Sequence, residues 1–204
     1  GEAVYQTVTS AIILDGNWDD IIAFPLENVN SVVDVKETNN TPAVVVGNLD
    51  KEAEAKKDTS AENKKVTITL TVEAKVEEEA KTGGTDVVQE DIGKIKTKAK
   101  ADNPKVADDA MQFLEITVKK KVDGEVDKVL PETSNIIELV IPYDFNGKHD
   151  VKVYRVHDGE YLELKKNDSG NDGTYKTDET NNLLYIYTQM FSLYSIGFTP
   201  KSEP

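Results

Sequence analysis

From residue 65 onward the chain alternates between apolar and polar positions. Val66, Ile68, Leu70, Val72, Ala74 and Val76 are separated by Thr67, Thr69, Thr71, Glu73 and Lys75. A period of two gives a strand one buried face and one wet face. The same period returns at Leu114, Ile116, Val118 and Val122, and again at Ile137, Leu139, Ile141 and Tyr143. Pro142 cannot donate to a ladder, which places it on an edge or at a strand terminus. Shorter runs rich in β-branched or aromatic residues follow at 151–156, 161–164, 183–187 and 193–198. Asn146-Gly147, Asp158-Gly159 and Asp172-Gly173 between them are tight-turn dipeptides. Short strands divided by such turns predict a mainly β protein, an Ig-like β-sandwich. Leu70, Val72, Ile116, Val118, Leu139, Ile141, Val153, Ile186 and Phe191 are its expected core.

One segment has a different period. Thr85 or Asp86 can cap a helix whose first turns carry Glu90 and Asp91, with Val88, Ile92 and Ile95 on one face. This predicts one inserted helix over about 87–100, ending before Pro104. Gly93 inside it costs about 1 kcal/mol relative to Ala. Residues 51–65, rich in Lys, Glu, Ala and Asp, read as a loosely helical connector. Apolar runs at 11–14, 21–26 and 32–35 look like strands of an N-terminal β segment or of a second small β subdomain.

Composition narrows the function classes. The chain has 204 residues, of which 38% are hydrophobic, enough to fill a core. A formal net charge of −14 argues against sequence-independent binding to nucleic acid or to anionic lipid, both of which need a cationic surface. With no cysteine there is no disulfide framework, thiolate zinc site or thiol nucleophile. No run approaches the roughly 18 apolar residues of a membrane span, so membrane insertion of this segment is not expected. The tail at 200–204 reads as the start of a Pro-containing linker.

Candidate chemistry is sparse. His149 and His157 are the only histidines, and on one strand they would stand roughly 26 Å apart. The expectation is a pair of solvent-facing or turn-capping side chains. Asp168, Asp172, Gly173 and Glu179 match positions 1, 5, 6 and 12 of a calcium-binding EF-hand loop. Gly170 offers no ligand at position 3 and the flanks read as strands, so a polar hairpin loop competes with a calcium site. The acidic pairs Asp19-Asp20 and 77–79 could supply a general acid and base, but a solvated acidic face explains them as well. Trp18 is a candidate ligand contact, and Tyr161 and Tyr175 are further candidates for a sugar platform. Tyr185, Tyr187, Phe191, Tyr194 and Phe198 read as core and cross-strand packing. No G-x-S-x-G, P-loop or G-x-G-x-x-G is present, and no catalytic residue or cofactor is expected.

The run V-K-V-Y-R-V-H-D-G at 151–159, a hairpin, and then F-S-L-Y-S-I at 191–196 form an order with a counterpart. It resembles a β module near the C-termini of large surface proteins of Gram-positive gut bacteria. There a V-x-R-V-H-D-G strand and turn precede a closing F-S-x-Y-A-I strand. The alternating strand near Val66, the acidic helix and the L-E-I-T-V-K-K strand fit the same order. The resemblance covers about 44–199, leaving 1–43 outside it. Gln189-Met190 stand where a polar pair such as Thr-Asp is usual, and the loop over 165–182 is long. The resemblance implies a non-enzymatic extracellular module, attached at the cell surface or wall through other parts, that serves as a spacer or an adhesion unit. Its partner would be a host or cell-wall glycan or protein. The competing class is a carbohydrate-binding accessory domain of a surface enzyme. Arg155, the only arginine, is expected to form a surface ion pair with Asp158 or with a neighbouring strand, worth about 0 to 1 kcal/mol.

Overall fold

The computed structural model describes residues 31–37, 44–49, 51–52, 66–77, 87–122 and 124–201. Two sheets account for most of them. In the larger, the order is β1 (Ser31–Glu37), β3 (Val66–Lys75), β4 (Gln112–Val122), β12 (Leu193–Pro200), β7 (Lys148–His157) and β8 (Glu160–Glu163), with β5 (Lys128–Leu130) paired along β4. In the smaller, the order is β2 (Val45–Gly47), β6 (Glu132–Pro142), β11 (Leu183–Met190), β10 (Thr174–Asp178) and β9 (Lys165–Lys166). All pairings are antiparallel except β1 with β3 and β9 with β10.

The alternation of the sequence becomes the shared core of a β-sandwich. Ile68, Leu70 and Val72 of β3 and Ile116 and Val118 of β4 join Ile137, Leu139 and Ile141 of β6 and Leu184 and Ile186 of β11 in one apolar cluster. All nine residues expected in the core are buried. A fully buried aliphatic side chain of this kind contributes about 1.5–3 kcal/mol. Pro142 ends β6, an inner strand between β2 and β11, so it is a terminus and not an edge. The apolar run at 32–35 lies in β1, which pairs from Ser31↔Val66 to Glu37↔Val72. The larger sheet therefore begins before residue 44. The apolar runs at 11–14 and 21–26 and most of the connector at 51–65 lie outside the described residues.

The helix, α1 (Val87–Asp102), runs two residues past its expected end. Its Ile92, Ile95 and Ala99 pack with Val106, Met111, Phe113, Tyr154, Val156 and Leu193 in a second cluster. The helix thus covers the face of the larger sheet that points away from the sandwich. This explains why 151–156 lacks a clean period of two. Val151 and Val153 enter the sandwich core while Tyr154 and Val156 meet the helix, and a strand covered on both faces has no wet parity. Polar ties fix the helix in place. Lys94 Nζ donates to Gly159 O at 2.5 Å, Gln89 Nε2 to Val76 O at 3.0 Å, and Lys96 pairs with Glu77. At its end Asn103 Nδ2 donates to Thr199 Oγ1 at 2.9 Å. No helix among the described residues is long and apolar enough to cross a membrane.

Two glycines separate tolerance from constraint. A Cβ on Gly93 would meet nothing within 4 Å, whereas one on Gly197 would lie 3.2 Å from the Tyr154 ring and 3.3 Å from Met111 Cε. Gly197 lets β12 lie close beneath the helix cluster. Gly93→Ala is expected to raise stability by about 0.5–1 kcal/mol. Gly197→Val should lower it by about 1–3 kcal/mol through overpacking. Denaturant midpoints of the two variants check both signs.

Candidate functional site

The densest polar constellation sits where β7 faces the corner between β11 and β12. Arg155 has the parity of Val151 and Val153, so its side chain enters the sandwich, and the residue is 5% exposed. Its Nη1 donates to Asp172 Oδ1 at 3.0 Å and to Thr188 Oγ1 at 3.1 Å. Asp172 Oδ1 also accepts the Gln189 amide at 2.8 Å. The Thr188 hydroxyl lies 2.6 Å from the Tyr194 oxygen, and Tyr194 donates to Met190 O at 2.5 Å. Two residues later on the same strand, His157 Nδ1 lies 3.2 Å from Phe191 O and donates to it.

Local geometry makes this convergence possible. The register of β11 on β6 shifts between Thr188 and Met190, an irregularity that sets four residues of β6, 133–136, opposite Gln189 alone. Such an irregularity frees backbone groups from the ladder and re-aims the side chains around it. The freed Gln189 amide goes to Asp172, and the Gln189 side chain reaches back to Thr133 O at 3.1 Å and Ser134 O at 3.2 Å. The Asp158-Gly159 turn returns the chain from β7 into β8. Both residues have positive φ, 49° and 77°, as a two-residue hairpin turn requires.

The electrostatics agree with a closed ion pair. Burial works to raise the Asp172 pKa, but the Gln189 amide, the Arg155 guanidinium and the Thr188 hydroxyl outweigh it, and the carboxyl sits below its ordinary value. Burial pushes the Tyr194 phenol up to about 12, so the ring enters the network as a neutral donor. Arg155 is therefore neither at the surface nor paired with Asp158, as its sequence context suggested. Asp172 is its carboxylate partner. At the same end of the smaller sheet, beside the segment that Gln189 reaches, Glu52 is fully buried and its Oε2 accepts from Ser134 N, Asn135 N and Asn135 Nδ2 at 2.9–3.0 Å.

The other candidates are distributed differently. Asp168, Asp172 and Glu179 are not brought together, because β10 (Thr174–Asp178) separates Asp172 from Glu179. Asp172 spends its Oδ1 on Arg155 and Gln189. Among the described residues no group of three or more His, Cys, Asp or Glu side chains is placed to hold a metal ion. His149 is solvent-facing beside Asp150, at 2.8 Å, as expected, but His157 is buried in the structure. Tyr175 is 3% exposed with its hydroxyl donating to Val151 O at 2.8 Å, which removes it as a sugar platform. Tyr161 stacks on Tyr154 with ring centroids 5.9 Å apart. Tyr185 and Tyr187 take the other parity of β11, where Lys176 Nζ sits 4.3 Å and 6.0 Å from their ring centroids. Phe191 and Tyr194 are in the core, and Phe198 packs against it. Trp18 and Asp19-Asp20 lie outside the described residues, as do Glu78 and Glu79.

Thr188 and Glu52 were not singled out by the sequence reading. Thr188 did carry a signal, since Leu184, Ile186 and Thr188 share one parity of β11 and a polar residue at a core position calls for buried partners. Glu52 carried none, lying among other charged residues in a segment with no clear period.

Two consequences are measurable. Asp172→Ala leaves the Arg155 charge buried without its partner, and the expected loss is about 3 kcal/mol, the lower end for a broken buried pair, because Asp172 keeps 27% of its side chain exposed. The Asp172 pKa is depressed on folding, so its contribution is present above about pH 4 and disappears as pH falls through the folded value. Urea midpoints of wild type and variant should therefore converge in acid. At the other extreme, burial raises Tyr143, Tyr175 and Tyr194 to about 12. Unfolded tyrosine titrates near 10, so these three contribute stability below about pH 10 and lose it progressively up to about pH 12. Phenolate absorbance and loss of strand signal should rise together across that window.

Comparison of the chain with protein-family models, with curated proteins and with solved structures found no match.

Proposed function

We propose that this chain is a non-catalytic, immunoglobulin-like module of an extracellular bacterial surface protein, attached at the cell surface or wall through other parts and acting as a spacer or adhesion unit. One observation carries the reading. The two sequence motifs behind the resemblance are physical partners: Arg155 and His157 of V-Y-R-V-H-D-G bond to Thr188 and Phe191 at the corner where F-S-L-Y-S-I begins. Both side chains hold strands to one another, the use a shape-keeping module has for them. A net charge of −14 and the absence of cysteine suit a soluble unit exposed beside other macromolecules. The accessory carbohydrate-binding alternative is weakened by the burial of Tyr175 and the stacking of Tyr161 on Tyr154.

Display on a cell tests this reading. The chain is placed between a wall anchor and an epitope tag, and antibody access to the tag is measured with the chain present, deleted, or replaced by an unrelated β-sandwich of similar size. Spacing predicts that access falls on deletion and returns with the unrelated sandwich. Adhesion predicts that attachment to host or wall material is lost on deletion and does not return. Turnover of wall glycan by the isolated chain, abolished by a point substitution, would refute the proposal.

A further inference from the structure

The first and last described strands of the larger sheet run in the same direction. β1 is parallel to β3, β3 is antiparallel to β4, and β4 is antiparallel to β12. β1 and β12 therefore point the same way while lying at different heights. Through Val66, Ser31 stands level with Val122 at one end of β4. Ile196 stands level with Gln112 at the other end, ten residues along, and β12 continues four residues beyond it to Pro200. At about 3.3 Å per residue, entry at Ser31 and exit at Pro200 are roughly 46 Å apart along the strand direction.

From this topology we infer that the module is built to carry tension, loading its strand ladders in shear when its ends are pulled apart. The inference rests on the spacer reading and adds a mechanical function to it. A pull on Ser31 draws β1 backward along its own axis, and a pull on Lys201 draws β12 forward along its axis. The load then crosses the β1–β3, β3–β4 and β4–β12 ladders parallel to the strands. Hydrogen bonds between strands lie across the strand axis, so this direction strains all the bonds of one ladder together. A pull across the strands would open them one at a time. The narrowest section is β4–β12, with four register pairs from Leu193↔Glu115 to Ile196↔Gln112. It is reinforced where Ile116 N donates to Ser192 O at 2.9 Å. On its other side β12 is held along β7 from Leu193↔Val156 to Pro200↔Lys148. The Arg155 network and the His157 bond to Phe191 O anchor the corner from which β12 starts. The exit end is tied as well, with Lys201 N donating to Gly147 O at 3.0 Å.

The absence of native cysteine makes the pulling direction a free choice. Ser31→Cys with Lys201→Cys gives handles for shear. His149→Cys with Lys201→Cys gives handles at one end of the β7–β12 ladder, where His149 pairs with Thr199, and peels it. Both variants of the full chain should melt as wild type does, and both are stretched at one loading rate in a single-molecule instrument. The expected result is a rupture force several-fold higher in shear than in peeling, because forced unfolding follows the barrier along the pulled coordinate. Equal forces, or early release of β1 at low force under shear, would overturn the inference. If shear strength fails while the display experiment succeeds, the chain is a spacer that bears no special load. If shear strength holds and display fails, the fold is mechanically strong and the spacer reading is the part that falls.

Discussion

One arginine inside a sandwich of two sheets sets the terms for much of this fold. A guanidinium taken out of water costs several kcal/mol unless its charge and its donors are matched. Arg155 is matched by a carboxylate from the loop before β10 and a hydroxyl from β11. That requirement reaches across both sheets. It needs the register shift between β6 and β11 to bring Thr188 and the Gln189 amide to one point, and it needs Asp172 turned toward the guanidinium. It also needs Tyr194 on β12 to cap the Thr188 hydroxyl. Apolar contacts hold the two sheets together without choosing a register, whereas the network around Arg155 is satisfied in only one.

The second organising constraint is the double burial of the larger sheet. The sandwich covers one face of β7 and β12, and α1 covers the other. Full coverage removes room for side chains where the layers approach closely. Gly197 sits under Tyr154 and Met111 for that reason. Coverage also strands polar atoms: the Tyr154 and Ser195 hydroxyls are buried with no hydrogen-bond partner among the described residues, at a cost of about 1–3 kcal/mol for each such group. The larger sheet is thus covered on both faces in its middle. Its exposed half, on β3 and β4, keeps the Thr, Glu and Lys parity, with Lys75 bridging Glu73 and Glu115.

These two constraints bear on function through what they leave over. Among the described residues, the Arg155 cluster is committed to holding strands, and the platform candidates Tyr161 and Tyr175 are stacked and buried. What remains is a doubly covered sheet in a chain of strongly acidic composition, with its two described ends far apart. In the proposed reading, such a unit holds position and carries force between its two described ends.

The sequence by itself determined the strands with one wet face. A period of two at 66–76, 114–122 and 137–143 reports burial directly, since alternate side chains leave the backbone on opposite sides. It also determined the helix, whose Ile92 and Ile95 spacing matched its buried face, and the Asp158-Gly159 turn, whose dipeptide supplies the positive φ the turn demands. Tertiary structure alone decided the partners. Arg155 looked like a surface residue because its neighbours in the chain are charged and polar on one side. Its true neighbours, Asp172 and Thr188, arrive from 17 and 33 residues away. The run at 168–179 matched a calcium loop by spacing, but pairing with β11 drew 174–178 into a strand that separates Asp172 from Glu179. Glu52 met Ser134 and Asn135 only because β2 pairs with β6. Local spacing fixes which way a side chain points; which groups it meets there depends on strand order and register, and these are set by contacts distant in the chain.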